Sequence, residues 1–344
     1  MTYWTKSPGT GGKIKSEEDF LVDEVPMKKF LVKFQRTSSG VSPVSGPYFL
    51  YLLKKKGRTT KDALVSIAKK LDINKNDIGY AGLKDKFATT SQYITLKKKV
   101  EGFKTNDLEL SLTSPCGNMM SIGELEGNKF TITLHGCKNP KNVEKTSKEL
   151  QKRGMPNYFG PQRFGVNKDN HKIGRMLLKR DDKALSRINK NYKKKYTSLK
   201  SIDKKVLKFF IHAYQSFVFN RVLDEYVKKN TKPWYESFPI AGFDTKLKSD
   251  FAGKETKRIL EADGLTPESF RINELGLTCV GSVRSAFVDV KNIRCEISKN
   301  IRLSKAQPML VLNTKPNIIV LEFELPKGSY ATVLIREVVK DGRI

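Results

Sequence analysis

The sequence predicts an α+β protein, and three observations support that class. Residues 127–136 and 317–325 alternate apolar and polar side chains, as half-buried strands do. Residues 59–73 carry the apolar spacing of an amphipathic helix, and residues 142–154 also look helical. Strand-like and helix-like segments alternate irregularly along the first half of the chain, which is typical of mixed α and β structure.

The first half contains the clearest individual elements. Residues 47–57 predict a buried strand that ends in a cationic turn. The helix over 59–73 begins at Thr59 or Thr60, either of which can cap it. Its apolar stripe consists of Ala63, Leu64, Ile67, Ala68 and Leu71. Residues 91–100 predict a further strand with a basic end.

The second half divides into a polar segment, a buried helix and an ordered tail. Residues 179–205 are basic and poorly patterned, which predicts a domain boundary or a surface excursion. Residues 206–229 carry apolar or aromatic side chains on almost every face, so they predict a helix that is buried on most sides. Residues 317–325 and 330–339 predict a strand followed by a helix.

Net charge is the strongest global indication of a partner. Sixty-five Lys and Arg residues against 36 Asp and Glu residues give a net charge of +29. Such an excess costs self-repulsion in an isolated protein, so it indicates a polyanionic partner. A membrane surface would call for a basic amphipathic helix or a lipidation signal, and neither is clear. A nucleic acid is therefore favoured, although a lysine-rich proteome would give the same charge.

Composition predicts a soluble protein without a metal site. Apolar residues make up 38% and charged residues 29% of the chain, and no apolar run is long enough to span a membrane. The first fifteen residues lack the apolar segment of a signal peptide, so we expect a cytoplasmic location. The four cysteines form no CxxC pair and there are three histidines, so neither disulfides nor structural zinc are expected.

The segment GYAGLKDKFATT, residues 79–90, places one carboxylate between two cations on a flexible backbone. Asp85 lies between Lys84 and Lys86, and flanking cations favour an ionised carboxylate at neutral pH. Such a group can act as a nucleophile, a base or a metal ligand. A surface turn with solvated charges explains the same residues and, on this stretch alone, is the favoured interpretation.

The segment PNYFGPQRFG, residues 156–165, combines aromatic, amide and basic side chains with glycine and proline. Aromatic rings stack on nucleobases, amides pair with polar base edges, and Arg163 can contact phosphate. An Ω-loop pinned by its own aromatic residues explains the segment equally well.

Gln215 and Asn220 lie in the predicted buried helix, where two satisfied core amides are the favoured interpretation.

Five segments together resemble the TruD family of pseudouridine synthases. They follow the family's order between residues 13 and 339: KIKSEEDFLVDEV, GYAGLKDKFATTSQYITL, PNYFGPQRFG, QSFVFN and FELPKGSYATVLIREVV. The resemblance implies a tRNA pseudouridine synthase, an isomerase, that acts on uridine 13. It also implies a pseudouridine-synthase-like core with a mixed, mainly antiparallel sheet in residues 1–155 and 306–344. An inserted α/β domain of the TruD type would occupy residues 156–305.

The same resemblance implies roles for individual residues. Asp85 would be the nucleophile, and we expect this carboxylate to be buried beside a basic residue that keeps it charged. Lys15 is the candidate for that partner, while Lys13 stays open. The pocket for the target uridine would contain Phe20, Asn157 and Phe159. RNA contacts are expected from Lys84, Lys86 and Arg163.

Isomerisation of uridine breaks the N1–C1′ bond and joins C5 to C1′, without a redox step or hydrolysis, so no cofactor is required. The carboxylate can attack C6 of the uracil or C1′ of the ribose, or abstract a ribose proton on a glycal route. The partner would be tRNA, bound by a monomer. The alternatives are a non-catalytic RNA-binding or ribosome-assembly protein on the same scaffold and a metal-dependent nuclease. A nuclease would need a carboxylate cluster near Asp85, which these segments lack.

Overall fold

The computed structural model describes residues 1–31, 34–37, 40–43, 46–298 and 318–341. These residues form eight α-helices and seventeen strands. The helices are α1 (Lys28–Leu31), α2 (Thr60–Leu71), α3 (Asn142–Arg153), α4 (Asn170–Leu178), α5 (Lys183–Tyr192), α6 (Lys204–Lys229), α7 (Phe251–Ala262) and α8 (Ala331–Val339). The strands are β1 (Phe20–Pro26), β2 (Phe34–Thr37), β3 (Gly40–Pro43), β4 (Tyr48–Lys55), β5 (Ile78–Tyr80), β6 (Thr89–Leu96), β7 (Phe103–Lys104), β8 (Leu108–Cys116), β9 (Leu125–His135), β10 (Met155–Pro156), β11 (Ser237–Ile240), β12 (Arg271–Ile272), β13 (Leu277–Thr278), β14 (Ser282–Ser285), β15 (Phe287–Val288), β16 (Lys291–Ser298) and β17 (Ile318–Pro326).

The chain folds into two compact units. The sheet unit consists of Ser7–Gln151, Val290–Gly328 and Val338–Ile344. The helical unit consists of Met1–Lys6, Lys152–Asp289 and Ser329–Glu337. The expected domain boundary at 305/306 lies outside the described residues, and the division into residues 1–155, 156–305 and 306–344 stays a prediction.

One nine-stranded sheet dominates the sheet unit. Its strands lie in the order β16-β17-β9-β1-β6-β4-β8-β7, and β5 pairs with β6 beside that path. β1 and β6 run parallel, whereas the other pairs are antiparallel. The predicted α+β class and the mixed, mainly antiparallel sheet are therefore confirmed. Four of these strands, β4, β6, β9 and β17, form where the apolar pattern of the sequence predicts them.

Helix α2 packs the core of the sheet unit on its predicted apolar stripe. Ala63, Leu64 and Ile67 are buried against β4, β6 and β8. The Thr59 side chain accepts a hydrogen bond from the backbone N–H of Asp62, which caps the helix as predicted. The helix therefore begins directly after the turn that connects it to β4.

Helix α6 forms the core of the helical unit. It runs for 26 residues and buries side chains on most of its faces, as its sequence predicts. It begins two residues before the predicted start because the Asp203 side chain caps it by accepting from the backbone N–H of Lys205. Gln215 is a satisfied core amide, since its Nε2 donates to the carbonyl of Ala241 at 2.7 Å.

Part of the poorly patterned segment 179–205 is regular structure, and its role as a domain boundary or a surface excursion stays a prediction. Residues Lys183–Tyr192 form helix α5. Its apolar signal consists of Ala184 and Ile188, which are buried one turn apart while polar side chains surround them. Two buried positions are too few to give a visible periodicity in a strongly basic segment.

Two kinds of feature are absent from the described ranges. Among these residues, no helix combines the length and the apolar character that crossing a membrane requires. Nor does this part of the chain contain a group of three or more His, Cys, Asp or Glu side chains placed to hold a metal ion.

Candidate active site

The loop between β5 and β6, residues 81–88, is attached to the sheet by a buried ion pair. The Lys84 ammonium lies 2.8 Å from Oε2 of Glu24 on β1 and donates to Oδ1 of Asn128 on β9 at 2.6 Å. The Lys84 side chain is 8% exposed and that of Glu24 is 0% exposed. Lys84 is therefore engaged inside the protein in this structure, and its contact with RNA stays a prediction. Its charge is used inside the protein to hold the loop.

A second set of polar contacts fixes the same loop from the side of α2. The Thr60 hydroxyl accepts from the backbone N–H of Lys84 at 2.8 Å and donates to Oε1 of Gln92 at 2.8 Å. The Gln92 amide in turn donates to the carbonyl of Gly82 at 3.2 Å. Thr60 and Gln92 are both buried, so these bonds are shielded from water. The loop is thus anchored on both sides of Leu83.

Asp85 follows this anchor and is exposed, which corrects the expectation of a buried carboxylate. Lys86 is exposed as well, and the Phe87 side chain is 77% exposed. The chain returns to the interior at Ala88, which is buried. The loop therefore presents a carboxylate, an ammonium and an aromatic ring to solvent from an anchored backbone.

Beneath the loop lies a buried lysine that the sequence interpretation missed. Lys55, the last residue of β4, is 2% exposed. Its ammonium donates to the backbone carbonyls of Asp85 at 2.8 Å and of Arg58 at 2.7 Å. Burial lowers the pKa of Lys55 to about 8, and the attraction of the Asp85 carboxylate opposes part of that effect. In the sequence Lys55 is hidden in a run of three lysines.

The turn before β1 is organised by Asp19. Its Oδ2 accepts from the backbone N–H groups of Lys15 and Ser16, both at 2.9 Å, and its Oδ1 lies 2.8 Å from Nε2 of His135. Burial alone would raise the pKa of Asp19, but the hydrogen bonds from His135, Lys15 and Ser16 outweigh it and lower that pKa. The turn is therefore fixed by an ionised carboxylate.

Neither candidate partner of Asp85 forms an ion pair with it within the described part of the chain. The Lys15 side chain is exposed, and only its backbone is held, by Asp19. Lys13 is also exposed and pairs through its backbone with His135. Lys55 contacts Asp85 through the backbone carbonyl of that residue. The roles of Lys15 and Lys13 stay predictions.

Phe20 lies at the same edge of the sheet as the loop. It is the first residue of β1, and the next residue, Leu21, pairs with Thr89, the first residue of β6. Because β1 and β6 are parallel, their first residues share one sheet edge. Phe20 is partly exposed there, with its ring edge-on to Phe130 at a centroid distance of 6.3 Å.

In the helical unit, Asn157 holds Arg284. The Asn157 side chain is buried, its Nδ2 donates to the carbonyl of Ser285 at 3.0 Å, and its Oδ1 accepts from Nη2 of Arg284 at 2.6 Å. The backbone carbonyl of Asn157 accepts from Nε of Arg284 at 2.9 Å. The amide predicted to read a base edge is thus engaged with a guanidinium in this structure.

Arg284 lies against the ring of Phe159, with its Cζ 4.2 Å from the ring centroid. Phe159 is 8% exposed, and its backbone N–H and carbonyl are both paired with the side chain of Asn220. Burial lowers the pKa of Arg284 to about 10. A base that stacks on Phe159 would therefore meet a ring that is already packed against a cation.

Arg163 lies next to the same ring. Its Nε donates to the hydroxyl of Ser216 at 3.0 Å, and its Cζ is 5.7 Å from the Phe159 centroid. The side chain is partly exposed. Sequence patterns singled out Arg163 but not Arg284, because Arg284 lies 127 positions after Asn157 in a segment without a recognisable motif.

Comparison with known proteins gives a consistent result. The family model described as tRNA pseudouridine synthase D (TruD) matches residues 1–187, 182–236 and 230–338. The tRNA pseudouridine synthase D of Anaeromyxobacter sp. (strain Fw109-5) is 30% identical over 97% of this chain and 94% of that protein. That of Aquifex aeolicus (strain VF5) is 29% identical over 85% of this chain and 91% of that protein.

Comparison of the fold with solved structures points to the same family. A crystal structure of a Methanosarcina mazei protein assigned as tRNA pseudouridine synthase D (TruD) superimposes with a TM-score of 0.72. It covers 99% of this chain and 96% of that one at 22% identity, so it defines the class of fold. With the family match across the sequence, the chain belongs to the tRNA pseudouridine synthase D (TruD) family.

Proposed function

We propose that this protein isomerises a uridine of tRNA, uridine 13, to pseudouridine, with Asp85 as the nucleophile. The observation that carries the proposal is the Asp85 loop: an exposed carboxylate on a backbone that buried contacts anchor through Lys84, Thr60 and Lys55. A solvated surface turn would not need such anchoring. Pre-organisation of a reacting group is what catalysis does need.

The reaction is balanced without any added group. The N1–C1′ bond breaks, the uracil turns, a C5–C1′ bond forms, the C5 proton leaves to solvent and N1 gains a proton. A carboxylate can promote this by forming a bond to C6 or to C1′, or by taking a ribose proton. The exposure of Asp85 is compatible with each route, since the uridine must leave its stack to reach the carboxylate.

The remaining site residues are proposals of the same kind. Lys86 would contact phosphate, and Phe87, which is 77% exposed beside it, would stack on an unstacked base next to the target. Arg163 would contact RNA from the helical unit. The residues proposed to contact the uridine are Phe20, Asn157 and Phe159, and the proposed partner of the Asp85 carboxylate is Lys15.

Replacing Asp85 by Asn tests the nucleophile. Asp85→Asn should abolish release of tritium from tRNA that carries 5-tritiated uridine, because the amide cannot form the required bond. The melting temperature should stay unchanged because the carboxylate is exposed, and tRNA affinity should change little because many phosphates contribute to it. Activity within tenfold of the wild-type protein would contradict the assignment. Lys86→Met is the matched control, with weaker binding but an intact chemical step.

A further inference from the structure

A buried ammonium, that of Lys55, lies near the candidate site. Its backbone is fixed inside the sheet, because Lys55 pairs with Thr90 of β6 on one side and with Leu108 of β8 on the other. Its side chain is 2% exposed, and within the described part of the chain its ammonium forms no ion pair. Burial of an unpaired ammonium is strongly unfavourable, and a methionine would fill similar space without that cost.

The buried ammonium donates hydrogen bonds to two backbone carbonyls, those of Arg58 and Asp85. The first belongs to the turn that leads into α2, whereas the second belongs to the proposed nucleophile itself. Because the peptide unit is planar, a hydrogen bond to the carbonyl of a residue restrains the plane that contains its Cα, from which the side chain leaves the backbone. The other anchors act through Gly82 and Lys84, so Lys55 is the buried contact made directly to Asp85.

We infer that Lys55 is a positioning residue for Asp85, whose buried ammonium fixes the backbone from which the carboxylate reacts. The inference rests on the proposed function, because it assigns Lys55 a task in the reaction of Asp85. It differs from the proposed pairing of Asp85 with Lys15, which is an exposed side chain on another segment. Lys55 acts from below the loop and does not contact the RNA.

The charge of Lys55 adds a pH dependence to this role. The charges that act most strongly on it are those of Asp85 and Lys84 from the loop, Asp62 from α2, and Glu17 from the turn before β1. Since burial brings the pKa of Lys55 to about 8, the ammonium loses its proton at a pH where an ordinary lysine keeps it. The neutral amine can still donate hydrogen bonds, but they are weaker than those of the ammonium. The chemical step should therefore slow as the pH rises through about 8.

The test compares Lys55→Met, Lys55→Arg and the wild-type protein in single-turnover assays with saturating enzyme. Lys55→Met should slow the chemical step by about 100-fold, as small misplacements of a reacting group do, with the dissociation constant for tRNA within about threefold. Lys55→Arg should recover part of the rate and hold it to higher pH than the wild-type protein, since guanidinium stays protonated. Lys54→Met, an exposed neighbour on the same strand, is the matched control and should leave the rate unchanged.

A Lys55→Met rate within threefold of the wild-type protein would overturn the inference. If Lys55→Met fails to fold, the dependence of the Lys55→Arg single-turnover rate on pH decides. A Lys55→Arg dependence that coincides with that of the wild-type protein up to pH 9.5 would also overturn the inference. The proposed function fails separately, if Asp85→Asn stays active. An inactive Asp85→Asn with a fully active Lys55→Met would leave the proposed function intact and reject only the role of Lys55.

Discussion

Among single residues, buried Phe159 and exposed Phe87 allow a structural role to be distinguished from a binding role. Phe159 is 8% exposed and packs against Phe219, Tyr330 and Arg284. We expect Phe159→Ala to lower the free energy of unfolding by about 3–5 kcal/mol, as is usual for a buried phenylalanine. Denaturant unfolding measures this. A cost under about 1 kcal/mol would show that the packing around the ring is loose.

The sequence interpretation of Phe159 as a stacking surface can be tested on the same variant. If the ring also contacts the target uracil, the single-turnover rate of the folded fraction should fall by about 5- to 150-fold, from roughly 1–3 kcal/mol of stacking. Phe87→Ala is the control with the opposite profile. Because Phe87 is 77% exposed, its removal should leave stability within about 0.5 kcal/mol and weaken tRNA binding instead.

At this scale the sequence predicts residue types better than residue tasks. Asp85, Asn157 and Phe159 were singled out because motifs contain them. In the sequence, Lys55 lies between two other lysines and Lys84 is separated from Lys86 by one residue, yet the side chains of both Lys55 and Lys84 are buried. What separates them from exposed Lys86 is which strand or loop covers them, and that depends on pairing partners distant in sequence.

Among the elements, the loop of residues 81–88 depends on a buried charge pair that can be dismantled in steps. Glu24→Gln should leave the Lys84 ammonium buried without its counter-charge and cost about 3–5 kcal/mol in unfolding free energy. The double variant Glu24→Leu, Lys84→Met should recover much of that loss, since it removes both charges and fills the space. Chemical denaturation of the two variants measures the difference.

Activity assays on the same loop separate anchoring from RNA contact. Lys84→Met should slow turnover while the dissociation constant for tRNA stays near the wild-type value, because its ammonium faces Glu24 rather than solvent. Lys86→Met should do the reverse. Equal losses of affinity in both variants would mean that Lys84 leaves its pair to meet RNA.

Elements with strong periodicity were predictable and the others were not. The stripe of α2, the alternation of β9 and β17, and the all-round apolar surface of α6 each reflect burial that repeats along the element. Helix α5 buries two side chains, so its sequence looks like a loop. The strand order of the nine-stranded sheet is set by pairing between distant segments, which local patterns do not encode.

For the whole molecule, the charge is the property that the sequence alone establishes. The chain has 65 basic and 36 acidic residues. Even if every acidic residue formed an ion pair with a basic one, the net charge of +29 would remain. Some lysine side chains, such as those of Lys55 and Lys84, are nevertheless buried. The RNA footprint must therefore come from the exposed lysines and arginines rather than from the total.

Affinity for tRNA should consequently fall steeply with salt. Each phosphate neutralised releases condensed counterions, so six neutralised phosphates give a slope of log affinity against log salt of about −4 to −5. Filter binding with tRNA between 50 and 300 mM KCl measures the slope, and the inactive Asp85→Asn protein keeps the RNA unmodified during the titration. Lys86→Met should make the slope less negative by about 1, because one phosphate contact is lost. Lys84→Met should leave it unchanged, since that ammonium is paired inside the protein. A wild-type slope shallower than about −2 would mean that shape and stacking, rather than the basic surface, supply most of the binding.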